Sequence, residues 1–289
     1  MTELIDREKE DTTAQIGPDL RAVLAEEDFP DETSGPVIKR KLALVIGIDA
    51  YSDEKGCPPL KTAVHDAHAL SQVLADKYDY QVTTLLNEQA TLDGMTSALD
   101  KKVPGSWASQ VQPDDQVLFY FAGHGLALKE EDGPTGYFIP QSGHTGKPDT
   151  YLAMKAVHDA LAALDCFHCL VILDCCYSGA FRWSGTRNIF SPPEPTLYWE
   201  AYQRFSNSPA WQVLTSAAYD EKALDSVAGT GFGQREADDA DHSPFAQALL
   251  AALRDETEDG RKADANSDGV LIATELYLYL RDNVQITAK

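Results

Sequence analysis

The chain has 289 residues, with 24 Lys and Arg against 46 Asp and Glu and a formal net charge of −22, which argues against nucleic acid as a partner. Its 43% apolar residues are enough for one large core or two ordinary domains, and no apolar run approaches the roughly 18 residues of a membrane span. The opening MTELIDREKEDTT lacks the apolar stretch of a secretory signal and the five cysteines are odd in number, so the expected address is cytoplasmic.

Residues 1–35 carry 11 Asp and Glu against 3 Lys and Arg, with Gly17, Pro18, Pro30, Gly35 and Pro36 breaking any periodicity. Residues 1–36 therefore read as a flexible acidic arm with one short helix around 20–27. From Val37 onward, strand-sized apolar blocks alternate with amphipathic segments. LALVIGI at 42–48 is followed by a helical pattern through Leu60, Val64, Ala67, Leu70 and Leu74. YQVTTLL at 80–86 precedes a helix near 91–102, VLFYFAG at 117–123 precedes a helix near 152–164, and CLVILD at 169–174 and WQVLTSA at 211–217 complete the set of strands. Strand-sized blocks alternating with segments of period 3.6 predict an α/β fold, with a mostly parallel central sheet covered by helices on both faces.

Two segments, 181–210 with four prolines and 225–243, Gly-rich and then acidic, are long for internal loops and read as insertions. The expected organisation is an arm (1–36) and one domain (37–289). That domain divides into a part to about 180, the insertion 181–210 and a closing part, 211–289.

Ligand chemistry in such a sheet sits just past the carboxyl ends of the strands. There the sequence places Ala122-Gly123-His124-Gly125 after one strand and Asp174-Cys175-Cys176-Tyr177-Ser178-Gly179 after another. A histidine between glycines is by itself more often a satisfied turn residue. A cysteine at the edge of a neighbouring strand adds a second reactive group, and cysteine needs a base because the thiolate is the nucleophile.

FAGHG at 121–125 and DCCYSG at 174–179, with IGIDAY at 46–51 and LKTAVHDAHAL at 60–70, together resemble the caspase-like cysteine peptidases, in particular the metacaspase and bacterial orthocaspase branch. LTSAAYDEKALDS at 214–226 and SPFAQALLAAL at 243–253 resemble the small-subunit part of that domain. The resemblance runs from Val37 to the C-terminus. It implies the caspase-like fold, Cys176 as nucleophile, His124 as general base and acid, and Cys175 at a variable position. The backbone N–H groups of Gly125 and Cys176 would then face the developing oxyanion.

The same resemblance implies that Asp66 and Asp174 hold the side chain before the scissile bond. Two carboxylates suit a guanidinium, whose planar fork of donors pairs bidentately, so the expected substrates are proteins or peptides cleaved after Arg and less well after Lys. In the other reading Asp66 pairs locally on its helix and Asp174 merely ends a strand. Ala122 departs from the family's frequent serine two residues before the histidine. Arg182, Arg187, Arg204 and Arg235, in or beside the insertions, are candidate self-processing sites. An upstream activating protease or a signalling partner is a further expectation. A catalytically silent scaffold that binds a partner in a signalling or defence complex is the alternative.

Asp264, Asn266, Asp268, Gly269, Val270 and Glu275 match the calcium-loop pattern at every fixed position. Side chains at 264, 266, 268 and 275 and the Val270 carbonyl would ligate Ca²⁺, and a metal-free Asx-type turn is the competing reading. No organic cofactor is expected. Cys166-Phe167-His168-Cys169 looks like a redox or zinc pair but has no second pair to complete it, and His65 and His68, three apart on a helix, could hold a metal but in this pattern are more often surface residues.

Overall fold

The computed structural model describes residues 38–130, 133–175, 209–216, 241–254, 263–265 and 271–284, all within the unit Pro36–Lys289. The arm, the helix expected at 20–27, insertion 181–210 up to residue 208, and residues 217–240 lie outside them. In chain order the elements are β1 (Arg40–Gly47), α1 (Ala63–Tyr78), β2 (Tyr80–Leu86), α2 (Leu92–Leu99), the one-turn α3 (Trp107–Gln110), β3 (Asp115–Ala122), β4 (Gly125–Glu130), β5 (Gly133–Phe138), β6 (Leu152–Ala153), α4 (Met154–Ala162), β7 (His168–Asp174), β8 (Ala210–Thr215), α5 (Pro244–Arg254) and α6 (Ala273–Asn283). Two 3₁₀ turns, Asn87–Gln89 and Pro148–Thr150, join them.

The central sheet has the order β2-β1-β3-β7-β8, and all four pairings are parallel. A parallel strand buried on both faces needs apolar side chains on both, which is why β1 and β3 read as continuous apolar runs. Leu42, Leu44, Ile46, Phe119, Phe121, Val171 and Leu173 pack on one side with residues of α2, α3 and α4. Ala43, Val45, Leu118, Tyr120 and Ile172 pack on the other with α1, α5 and α6. Successive residues thus alternate between two cores, and a buried side chain of this size contributes roughly 1.5–3 kcal/mol. Among the described residues no helix is long and apolar enough to cross a membrane.

The strands expected from 42, 80, 117, 169 and 211 and the helix expected near 60–74 are all present. The helix expected over 91–102 stops at Leu99, and that expected from 152 starts at Met154, because Leu152 and Ala153 pair with Phe138 and Tyr137. They belong to a second, antiparallel sheet, β4-β5-β6, which periodicity did not reveal. β5 reads GPTGYF, and two glycines and a proline hide a strand from any propensity argument.

Two features carry α1 to the site. At Gly47 a Cβ would stand 2.7 Å from the Ala63 carbonyl oxygen and the Ala67 Cβ, so the absent side chain lets the start of α1 lie directly on the carboxyl end of β1. At the other end Tyr78 Oη donates to the Leu253 carbonyl over 3.0 Å, and Lys77 Nζ donates to the Arg254 carbonyl. These bonds fasten α1 to the last turn of α5.

Candidate active site

Strand order reverses at β1, since β1 pairs with β2 on one side and β3 on the other, and the carboxyl ends of β1, β3 and β7 open onto one edge there. His124 stands two residues past the end of β3. Its backbone N–H donates to Tyr51 Oη at 2.7 Å, and its carbonyl accepts from Ile139 N at 3.0 Å. Its ring leans on the Tyr51 ring, with centroids 4.8 Å apart. Nε2 lies 2.7 Å from the Pro58 carbonyl oxygen. A carbonyl can only accept, so Nε2 is the nitrogen that donates, and in the neutral ring Nδ1 carries the lone pair that a general base requires.

The loop that supplies Tyr51 and Pro58 is itself fixed. Asn87 Oδ1 accepts from Asp49 N and Ala50 N at 2.9 and 3.1 Å. Asp53 accepts from Thr145 N at 2.8 Å and from Gly56 N at 3.2 Å, and these amides, Thr145 first, hold its carboxyl below the usual range. Burial pushes the Tyr51 phenol well up, so it remains neutral and keeps its oxygen on the His124 amide. Gly123 serves this packing: a Cβ there would stand 2.9 Å from Tyr51 Oη. The first glycine of the GHG pattern thus admits a neighbouring ring.

Ala122 pairs with Asp174 across β3 and β7, so His124 and Cys176 each follow a matched pair by two residues. Cys176 lies outside the described residues, so its side chain and amide are not described. Cys175 is 1% exposed and belongs to the core. Gly125 opens β4 opposite Phe138.

Asp66, in the first turn of α1, is 1% exposed. Its Oδ1 lies 2.6 Å from His242 Nδ1, and its Oδ2 accepts from Ser243 N at 3.1 Å. Ser243 Oγ donates to Asp174 Oδ2 at 2.6 Å while accepting from Ala246 N at 2.9 Å. One serine therefore caps α5 and links both carboxylates. Sequence reasoning did not find Ser243 or His242. Ser-Pro ahead of an apolar helix is a readable cap signal, but the second bond, 69 residues away along the chain, has no local signature. Beside these carboxylates the Tyr120 hydroxyl is buried without a hydrogen-bond partner among the described residues. Burial pushes its pKa well up, and the negative charges of Asp174 and Asp66 add to this.

The remaining sequence candidates lie elsewhere. Cys169 faces Val117 and Trp211 near the start of β7, at the amino edge of the sheet. The Cys166 thiol is held below its usual range by its hydrogen bond to Cys169, which in turn pushes Cys169 well up. Asn266, Asp268 and Val270 are outside the described residues. Asp264 and Glu275 are both buried, and Glu275 accepts from Ala265 N at 3.1 Å and Ile272 N at 3.2 Å. The second and twelfth loop positions therefore meet, with the glutamate engaged as a cap of α6. His65 and His68 are both exposed, and among the described residues the group of potential ligands that includes His65 is completed by Asp66 and His242.

The Peptidase_C14 caspase domain matches residues 40–268. Metacaspase-1 of Pyricularia oryzae is 30% identical over 173 residues, which are 54% of this chain and 40% of that protein. Metacaspase-1 of Schizosaccharomyces pombe is 30% identical over 102 residues, 33% of this chain and 22% of that protein. The chain thus spans less than half the length of these relatives. A solved structure from Geobacter sulfurreducens, protein GSU0716, aligns with TM-score 0.39 and 23% identity over 48% of this chain and 52% of that one. By the match to most of its length, the chain belongs to the caspase-domain family of peptidases, and the curated proteins it resembles are metacaspases.

Proposed function

We propose that this chain is a cysteine endopeptidase that cleaves proteins after Arg, and less well after Lys. In this reading His124 Nδ1 takes the proton of the Cys176 thiol. The thiolate attacks the scissile carbonyl, the protonated imidazole gives its proton to the leaving amine, and water then hydrolyses the thioester. The carrying observation is the His124 ring held by the Pro58 carbonyl in the tautomer that leaves a basic nitrogen at the sheet edge. The backbone amides of Gly125 and Cys176 take the oxyanion role.

Arg selectivity rests on Asp66 and Asp174, two carboxylates bridged by Ser243. A guanidinium replacing His242 and Ser243 at these oxygens would gain charge-assisted bonds in a site sheltered from water. Calcium stimulation through Asp264, Asn266, Asp268, Val270 and Glu275 belongs to the same proposal, with oxygen donors of the right hardness. It requires Glu275 to exchange its two amide bonds for the ion.

The test is hydrolysis of matched peptides ending in Arg, Lys and Asp, with and without Ca²⁺ and with Cys176→Ala as the control. Cleavage of the Arg peptide that vanishes in the variant is expected. Preferential cleavage after Asp overturns the specificity, and activity indifferent to chelator removes the calcium element. Intact masses of the active protein and of Cys176→Ala test self-processing at Arg182, Arg187, Arg204 or Arg235; identical masses under activating conditions rule it out.

A further inference from the structure

We propose that His65, Asp66 and His242 form a binding site for a divalent transition-metal ion of the zinc class. Their ligand atoms all lie within 4.8 Å of one another. Tetrahedral zinc with bonds of about 2.0–2.1 Å separates its ligands by roughly 3.3 Å, so the Asp66–His242 pair opens from 2.6 Å while the wider separations, up to 4.8 Å, close. Two imidazoles and one carboxylate favour zinc, cobalt, nickel or copper over calcium or magnesium, which prefer oxygen alone.

The surroundings have the character of an outer shell. His65 Nδ1 lies 2.6 Å from the Asp241 carbonyl oxygen, so it donates, and Nε2 is the nitrogen with the lone pair. Metal-ligating histidines are commonly fixed in this way. Asp66 Oδ2 is anchored by Ser243 N, which leaves Oδ1 as the oxygen turned to His242 Nδ1 at 2.6 Å. An ion between those two atoms takes the place of the hydrogen-bonded proton, and the imidazole then carries its proton on Nε2. The rings of His65 and His242 already stack, with centroids 4.4 Å apart and planes 12° from parallel. Asp66 is deeply buried, the His242 side chain is 17% exposed and His65 is open to solvent. The site therefore has a buried anionic floor and a wet mouth where water completes the coordination. Its ligands come from the first turn of α1 and from the residues just before α5, so the ion would join two segments about 176 positions apart in the chain.

A consequence rests on the proposed arginine specificity. Asp66 would serve both the ion and the guanidinium of the substrate, and two cations cannot share it, so metal would exclude substrate.

The experiment uses the full chain carrying Cys176→Ala, so that the nucleophile cannot ligate. Titration with Co²⁺ is expected to give visible ligand-field bands of tetrahedral cobalt without a thiolate charge-transfer band, and Zn²⁺ is expected to displace them. His65→Gln and His242→Gln should each weaken binding by at least about tenfold, while His68→Gln and His124→Ala leave it intact. Melting curves of the variants verify folding. Retained affinity in the double variant His65→Gln/His242→Gln overturns the site, as does binding that disappears with His124→Ala.

Agmatine, a free guanidinium, separates the two readings. Release of cobalt by agmatine supports both. Cobalt held by the three residues but indifferent to agmatine sustains the metal site and overturns Asp66 as the guanidinium holder. Loss of the metal site leaves cleavage after Arg to stand on the peptide assay.

Discussion

The two edges of the central sheet treat buried carboxylates in opposite ways. At the amino edge Asp115, 1% exposed, receives Arg40 from the neighbouring strand through Nε at 3.0 Å and Nη2 at 2.6 Å, and it also accepts from Gln112 N. At the carboxyl edge Asp66 is as deeply buried, yet it is met by the His242 imidazole and the Ser243 amide. Asp115 has its guanidinium built into the fold. The proposal for Asp66 is that its guanidinium arrives with the substrate, so Arg40–Asp115 is an internal picture of the pairing expected at the other edge.

Four substitutions break or sharpen this comparison. His124→Ala should have the largest effect, lowering kcat/KM on an Arg peptide by about a thousandfold or more while the melting temperature barely moves. Asp66→Asn should cost about a hundredfold in kcat/KM on Arg peptides, as expected from losing a charge-assisted pair. An equal loss on an uncharged substrate would show that Asp66 only supports the fold. Tyr51→Phe leaves the His124 amide without its acceptor and should lower kcat by roughly tenfold, at the 1–3 kcal/mol that an unsatisfied buried donor costs. Arg40→Ala should do the reverse of Asp66→Asn. The melting temperature falls by several degrees because Asp115 loses its partner, and kcat/KM stays within about twofold. If Arg40→Ala impaired catalysis as Asp66→Asn does, the division between a structural edge and a working edge would collapse.

The alternation of strand-sized runs with amphipathic segments was enough to read the parallel sheet, because its inner strands β1, β3 and β7 are largely buried on both faces and must be mostly apolar. The antiparallel sheet β4-β5-β6 escaped, since Gly133, Pro134 and Gly136 give β5 no strand propensity and only its neighbours hold it in place. His124 was legible because glycines flank it at the end of a clear strand. The loop that fixes its ring was not, because Pro58 acts through a backbone carbonyl, a group every residue possesses.

Sequence alone determined the alternating pattern of the fold, the acidic balance, the FAGHG and DCCYSG motifs and the family they resemble, since each is written in residue types at short range. Only the tertiary structure decided which nitrogen of His124 donates to Pro58, that Ser243 links Asp66 to Asp174, and that the His65 ring stacks on His242. The physical reason is common to all three. Hydrogen bonds and ligand sets are made by atoms that meet in space, and here the partners lie 66, 69 and 177 residues apart, beyond the reach of any local pattern.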